Sequence, residues 1–513
     1  MFLPPPRRIS FAVALAALTT VTGFGGCASP APPPSSVEAS VPAQWYAPLP
    51  HGGELTALTR WWQQFDDPVL VRLIDAAQAV SPSVASAASR IEQSRANVVG
   101  ADAALGPTLD ATATALRGRS DFLSGTGSSV SAGVQAAWEL DLYGARRHAA
   151  TAAQARLSGT QALWHDARVA VAAEVATRYA ELRSCEAQLE QARVDAASRV
   201  ETARLTALSL RAGFEAPANA ALARASAAQG HSLLTQRRAQ CELQRKGLVA
   251  LTGLDEPVLR AALGAARGAA RGAARGADSA RTAPPLQLSA AAQLGVPARL
   301  LTQRPDLRAA ERELSAAAAE VSSAQAQRYP RLALTGSLRA AHAQSGLGSA
   351  HGVLWSIGPV TVMLPLFDGG ARRANVVAAA ARYTEASALY RARLRTAVRE
   401  VEEALVALQS THDRNADAQV ATDGFGASLR ATEARQRAGL ASLFELEDAR
   451  RQASAAQVAW IDLQRERVVA WIALYRGLGG GWSDADLSGL DDTSDTGDTG
   501  VTSPVSATVS RRP

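Results

Sequence analysis

From Val134 to Leu142 the chain alternates. Val134, Ala136, Trp138, Leu140 and Leu142 fall on one side of an extended backbone, and Gln135, Ala137, Glu139 and Asp141 on the other. The same period returns where Val360, Val362, Leu364 and Leu366 alternate with Thr361 and Met363. Period two with one polar side predicts strands; a strand between lipid and water and a half-buried soluble strand both produce it. Each strand is expected to span roughly 10 residues, about one tilted bilayer crossing. Helical segments over residues 83–105 and 305–328 precede the strands, meeting Pro107 and Pro330. Within each set, a Gly/Ser-rich stretch is expected to form a loop between two strands: SDFLSGTGSS from Ser120 and HAQSGLGSAHG from His342.

After the strands the pattern turns helical and stays so. No proline occurs from Ala145 to Ala216, and none from Leu366 to Ser503. About 68 residues at roughly 1.5 Å each predict a helix on the order of 100 Å long, turning at a glycine and returning as a second helix. Apolar positions on such helices need neighbours along their whole length. Gly424 and Gly426 leave a kink or a short break open.

The two sets are copies of one another. GARR at residues 144–147 recurs 226 positions on, at 370–373, and RAG at 211–213 recurs at 437–439 with the same offset. ASAAQ at 225–229 returns 228 positions on, and GPTLDATA from Gly106 answers YPRLALTG from Tyr329. Shared order at one period indicates an internal duplication of a helix-strand-strand-helix unit.

Composition narrows the function classes. Charged residues make up 19% and aromatics 5% of 513 residues, which favours long helices with small-residue seams. The formal charge of +6 rests on scattered Arg near Glu and Asp, with no basic block interleaved with aromatics, so a nucleic-acid partner has no support. Residues 1–26 read as a secretory signal, with Arg7 and Arg8 before an apolar run. That run ends in GFGGC. Gly25 and Gly26 before Cys27 suit a lipoprotein peptidase, which makes Cys27 the lipidation site and a covalent lipid the only attached group expected. Phe24 stands where Leu is usual, and an ordinary signal with a stray cysteine is the alternative. Ala28 after Cys27 favours sorting to the outer membrane in the Gram-negative pattern, and SPAPPPSS then forms a tether. No later run of 18 apolar residues occurs, so any crossing must be by strands.

Glu139 and Asp141 share one strand face, close enough for acid/base chemistry. Their counterpart stretch, LPLFDGGARR, lacks both carboxylates. No Ser/His/Asp order, phosphate loop or HExxH-type metal motif accompanies them, so the chain is read as no enzyme, with no metal site, and Glu139 and Asp141 as facing water inside a barrel. Four strands cannot close a barrel alone, because open edges in lipid cost several kcal/mol per unpaired group. Two copies give a side-chain-filled barrel of about eight strands; three give about twelve with a lumen. Cys185 and Cys241 lie equally far to either side of Gly213 in sequence. In an antiparallel hairpin they share a height, and both a disulfide and two buried small hydrophobes that never meet stay open.

These features together resemble the TolC-like outer membrane factors, specifically the NodT-type outer membrane lipoproteins of tripartite (RND-type) efflux systems. The carriers are WWQQFDDPVL from Trp61, WELDLYGARR from Trp138, LLTQRPDLRAAERELSAA from Leu300, YPRLALTGS from Tyr329 and LPLFDGGARRANV from Leu364. The resemblance implies a homotrimer, mainly α with membrane β. Its helical hairpins form a periplasmic α-barrel, and its strands form a twelve-stranded outer-membrane β-barrel. It implies a passive duct for drugs, toxic compounds or metal ions, lipid-anchored in a Gram-negative outer membrane. The partners implied are a periplasmic adaptor protein and an inner-membrane pump. It places adaptor docking at Arg211, Ala212, Gly213 and Phe214, and at Arg437, Ala438, Gly439 and Leu440. It places an acidic periplasmic gate at Asp448, with Glu445 and Glu447 beside it; Glu447 stands where the family usually has Leu.

The implied organisation is a signal peptide over 1–26, a tether over 27–60 and a first repeat over 61–263. A low-complexity Ala/Arg/Gly insertion follows over 264–280, then a second repeat over 281–482 and an acidic, disordered tail over 483–513. The competing reading is a lipid-anchored periplasmic coiled-coil scaffold or adhesin that never spans. Cargo, pump and adaptor identity are not written in the sequence.

Overall fold

The computed structural model describes residues 33–36, 46, 62, 65, 67–120, 123–274, 304–345 and 348–480. The first repeat runs α1 (Pro68–Val80), α2 (Pro82–Ala103), β1 (Thr108–Ser120), β2 (Leu123–Leu140), α3 (Ala145–Arg211) and α4 (Pro217–Thr252). Next comes α5 (Glu256–Ala274). The second repeat runs α6 (Pro305–Ala326), β3 (Arg331–Ser345), β4 (Gly348–Met363), α7 (Ala371–Arg437) and α8 (Leu443–Gly477). Pro68, Pro82, Pro217 and Pro305 each open a helix, where the missing N–H costs nothing and φ is already helical. Chain contacts divide the molecule into a sheet unit, with Asn97–Ala155 and Leu314–Glu385, and a helical unit carrying the remaining described core.

The sheet unit is one antiparallel sheet in the order β1-β2-β3-β4. The duplication is visible in its register. Thr108 pairs with Ala137 as Arg331 pairs with Met363, and Ala137 and Met363 are separated by the same offset as the two GARR motifs. One face carries Leu109, Val130, Val134, Trp138, Leu332, Leu334, Leu338, Val353, Trp355, Ile357, Val360 and Val362. The other carries Thr112, Thr114, Ser131, Gln135, Glu139, Thr335, Ser337 and Ser356, among others. Thr114 and Ser131, and Ser337 and Ser356, join hydroxyls across the strands at 2.8 and 3.0 Å.

The strands are longer than one tilted bilayer crossing requires, at 13, 18, 15 and 16 residues. The two Gly/Ser-rich stretches are not loops: both hairpins pair through them, out to Ser120↔Leu123 and Ser345↔Gly348. Glycine and serine lack the apolar alternation that marks a strand, but their backbone groups serve a ladder equally well. β4 stops at Met363, short of the alternation that reached Leu366, because Pro365 has no N–H to donate.

α3 and α7 are each 67 residues long, and α7 passes Gly424 and Gly426 without a break. α5 crosses the boundary drawn at residue 263 and carries helix into the Ala/Arg/Gly run as far as Ala274, anchored by buried Leu259 and Leu263. Of the stretch read as a tether, Pro34 accepts a hydrogen bond from the Tyr383 hydroxyl, and the Tyr46 amide donates to Glu402. The signal, Cys27 and the acidic tail lie outside the described residues.

The core of the helical unit gathers Val69, Leu70, Leu73, Tyr179, Leu182, Leu248, Leu259, Leu405, Trp471 and Leu474. α1, which the hydrophobic pattern did not mark, supplies Val69, Leu70, Leu73, Ile74 and Ala77 to it. Asp67 starts this helix and also ties it down, accepting from the Val69 amide at 2.9 Å and from the buried Tyr179 hydroxyl at 2.6 Å. Burial and the Asp67 carboxylate push the Tyr179 hydroxyl above its ordinary range.

Candidate functional site

Where β2 passes into α3, WELDLYGARR folds into an electrostatic joint. The Glu139 carboxylate accepts from Arg146 at 2.9 Å, and Arg146 also reaches the Ala104 carbonyl. Asp141 accepts the backbone amide of Arg147 at 2.8 Å, capping the start of α3 where the helix dipole favours an anion. Trp138 donates its indole N–H to the Leu105 carbonyl at 2.9 Å, and Tyr143 stacks on Tyr329 with centroids 4.8 Å apart. These contacts give Glu139 and Asp141 fixed partners. Both are half-buried joint residues, each neutralised by an arginine a short way along the chain. They line a cleft of about 250 Å³ with Ser323, Gln327 and Arg331. Ser323 spends its hydroxyl on the Ala145 carbonyl at 2.8 Å, so it is not poised as a nucleophile.

The two helix turns are built alike. The Phe214 amide donates to the Ser209 carbonyl at 2.9 Å, and the Gly213 amide to Leu210 at 3.0 Å. In the second repeat the Leu440 amide donates to Arg435 at 2.8 Å, and Gly439 to Gln436 at 3.0 Å. This is the Schellman arrangement, and it needs a left-handed residue: Gly213 has φ +79 and Gly439 φ +75. Arg211, Ala212, Arg437 and Ala438 lie exposed beside them. Each turn holds an apolar side chain out to solvent, Phe214 at 87% exposure and Leu440 at 70%, with Phe444 close behind at 71%.

The three acidic candidates after the second turn have three different surroundings. Glu445 closes a capping box with Ser442, its carboxylate on the Ser442 amide and its own amide on the Ser442 hydroxyl. Glu447 turns inward: it accepts from Arg199 on α3, Ser226 on α4 and Arg450 on α8. Arg450 in turn donates to Ser198 and Thr202. Asp448 is half-exposed and meets its near neighbours Arg451 and Gln452. Between α3 and α4, Cys185 and Cys241 form a disulfide with Cα atoms 5.5 Å apart.

Residues 73–254 and 296–480, which cover both repeats, match the family described as outer membrane efflux protein. The chain belongs to that family. It is 31% identical over 476 residues to the solvent efflux pump outer membrane protein SrpC of Pseudomonas putida, covering 90% of this chain and 96% of the relative. It is 29% identical over 414 residues to nodulation protein T of Rhizobium leguminosarum bv. viciae, covering 79% and 80%. Among solved structures, the outer membrane protein VceC of Vibrio cholerae superposes with a TM-score of 0.70 at 26% identity, covering 83% of this chain and all of that one.

An outer membrane efflux protein is not an enzyme. In the helical unit, a groove of about 1030 Å³ is rich in carboxylates, but Glu181, Glu403 and Glu466 each pair with an arginine. The RPD stretch is a clamp: Arg304 donates to Asp306, Glu400 and the Gly477 carbonyl, each at 2.9 Å. Burial pulls the Arg304 pKa down, yet the two carboxylates hold it above its ordinary value. Tyr475 donates to the Gly480 carbonyl at 2.9 Å, and burial pushes its hydroxyl up to about 12. Among the described residues, no helix is long and apolar enough to cross a membrane, and no group of three or more His, Cys, Asp or Glu could hold a metal ion.

Proposed function

We propose that three copies of this outer membrane efflux protein close a twelve-stranded barrel and act as the passive outer-membrane duct of a tripartite efflux system. The observation that carries this reading is the open sheet. Its edges, β1 and β4, each present an unpaired row of backbone groups, and its apolar face suits lipid. The duplication supplies the missing pairing. β2 meets β3 with Ala137 opposite Thr335, and the equivalent positions are Met363 and Thr112. β4 of one copy meeting β1 of the next in that register repeats the sheet around a ring, with the apolar face outward.

In this reading Cys27 carries a lipid anchor, and the two Schellman turns are the docking points of a periplasmic adaptor that links the duct to an inner-membrane pump. Exposed Phe214 and Leu440 offer an apolar contact at each turn. Asp448 is the gate acid, three copies of it facing one axis. Export of small molecules such as solvents, drugs or metal ions is the cargo class consistent with efflux relatives, and selection lies with the pump. Purified protein in planar bilayers tests the reading. A duct gives discrete conductance steps and a heat-modifiable trimer, whereas a lipid-anchored scaffold gives neither.

A further inference from the structure

The outer part of the β3–β4 hairpin holds two histidines, away from the joint, turns and acids described above. His342 and His351 are direct cross-strand partners. Directly opposite residues in an antiparallel pair place Cβ atoms about 4.5–5.5 Å apart on one face. Both are exposed, and their rings lie with centroids 6.5 Å apart and planes 30° from parallel. The ladder continues outward through Ala343↔Ala350, Gln344↔Ser349 and Ser345↔Gly348, so the register at the histidines is fixed from both sides. The row they occupy reads Ala115, Val130, His342, His351 across the four strands, with no carboxylate or guanidinium to engage an imidazole. The next row inward on the same face is Ala132, Ala340 and Val353, the outer limit of the apolar belt.

We propose that His342 and His351 form a two-histidine site for a divalent late transition-metal ion, with Cu²⁺ held more tightly than Zn²⁺. Imidazole nitrogen is the common ligand of both ions, and the affinity order for such sites places Cu²⁺ above Zn²⁺. Bonds of roughly 2.0–2.1 Å to one nitrogen of each ring bring two bridged rings to about 5–6.5 Å between centroids. The observed separation is at the upper end of that range, and a modest turn of either side chain closes it. Gln344 and Ser349, one row outward on the same face, and water supply the remaining positions. The ion ties β3 to β4 near the turn, at the edge of the apolar belt. The site stands on one hairpin and does not depend on the trimeric duct.

Cu²⁺ titration of the purified full-length protein in detergent, followed by electron paramagnetic resonance, tests this directly. One ion per chain, with splitting from two nitrogens, is expected. His342→Gln and His351→Gln each weaken that binding by more than about tenfold, while His148→Gln leaves it unchanged. Unaltered circular dichroism of the variants separates lost binding from lost folding. Absence of saturable binding in the parent, or the same two-nitrogen signal in both hairpin variants, overturns the assignment.

Discussion

The carboxylate of Glu447 lies 3.3 Å from the guanidinium of Arg199, and the same carboxylate meets Ser226 and Arg450. Three helices, α3, α4 and α8, are therefore joined by one acid. The charge is tolerated because two arginines and a hydroxyl surround it. Among the described residues, the neighbouring Asp448 has its partners on its own helix.

This contrast separates two variants that look alike in sequence. Asp448→Ala is expected to raise conductance or antibiotic leakiness with little change in thermal stability, since three like charges leave a narrow ring. Glu447→Ala is expected to destabilise the protein by about 3 kcal/mol, because it takes the carboxylate partner from buried Arg450, while Arg199 keeps Asp195. Thermal melts and bilayer recordings on both variants check this. A parent-like conductance for Asp448→Ala would remove Asp448 as the gate.

At the turns, Gly213 and Gly439 have open space around the position a Cβ would take, so the constraint there is φ alone. Valine strains a left-handed turn by about 1–2 kcal/mol, whereas asparagine adopts it readily. Gly213→Val is expected to reduce efflux while Gly213→Asn retains it, with normal trimer yield in both. If the Val variant yields no trimer, the glycine serves folding and not docking.

The Cys185–Cys241 bridge closes a loop of 56 residues across α3 and α4. By loop-closure entropy it contributes about 4 kcal/mol. The second repeat has no cysteine and so no such bridge. Thiol counting on denatured, unreduced mature protein is expected to find neither cysteine free. Two free thiols per chain would rule the bridge out.

Much of this architecture is legible in the sequence because it is periodic. The alternation around Trp138 and Val360 marks strands, the long proline-free runs mark α3 and α7, and the repeated GARR and RAG fix the duplication. What escapes the pattern is set by contacts distant in sequence. α1 is short and is held by Asp67 to Tyr179, 112 residues away. The Gly/Ser stretches read as loops because their pairing is a matter of backbone, not side chains. The pairing of Glu139 with Arg146 and of Asp141 with Arg147 is not legible in the alternation, because the arginines sit past the strand and the bend at Gly144, with φ +81, brings them back. Glu447 reads as one of three neighbouring acids, but its partners Arg199 and Ser226 belong to the other repeat, on α3 and α4.

Closure of the sheet between copies is tested most directly by a cysteine pair across the β4–β1 seam. Ala137 and Thr335 are partners within the chain, so Ala137→Cys with Thr335→Cys is an internal control that oxidises without changing the molecular mass. Thr112→Cys with Met363→Cys places the equivalent pair on two copies. Oxidation of that variant in outer-membrane fractions is expected to give a covalent trimer resistant to boiling in detergent and released by reductant, with neither single variant doing so. A chain that remains monomeric after oxidation, while the internal control forms its bond, would contradict the twelve-stranded barrel.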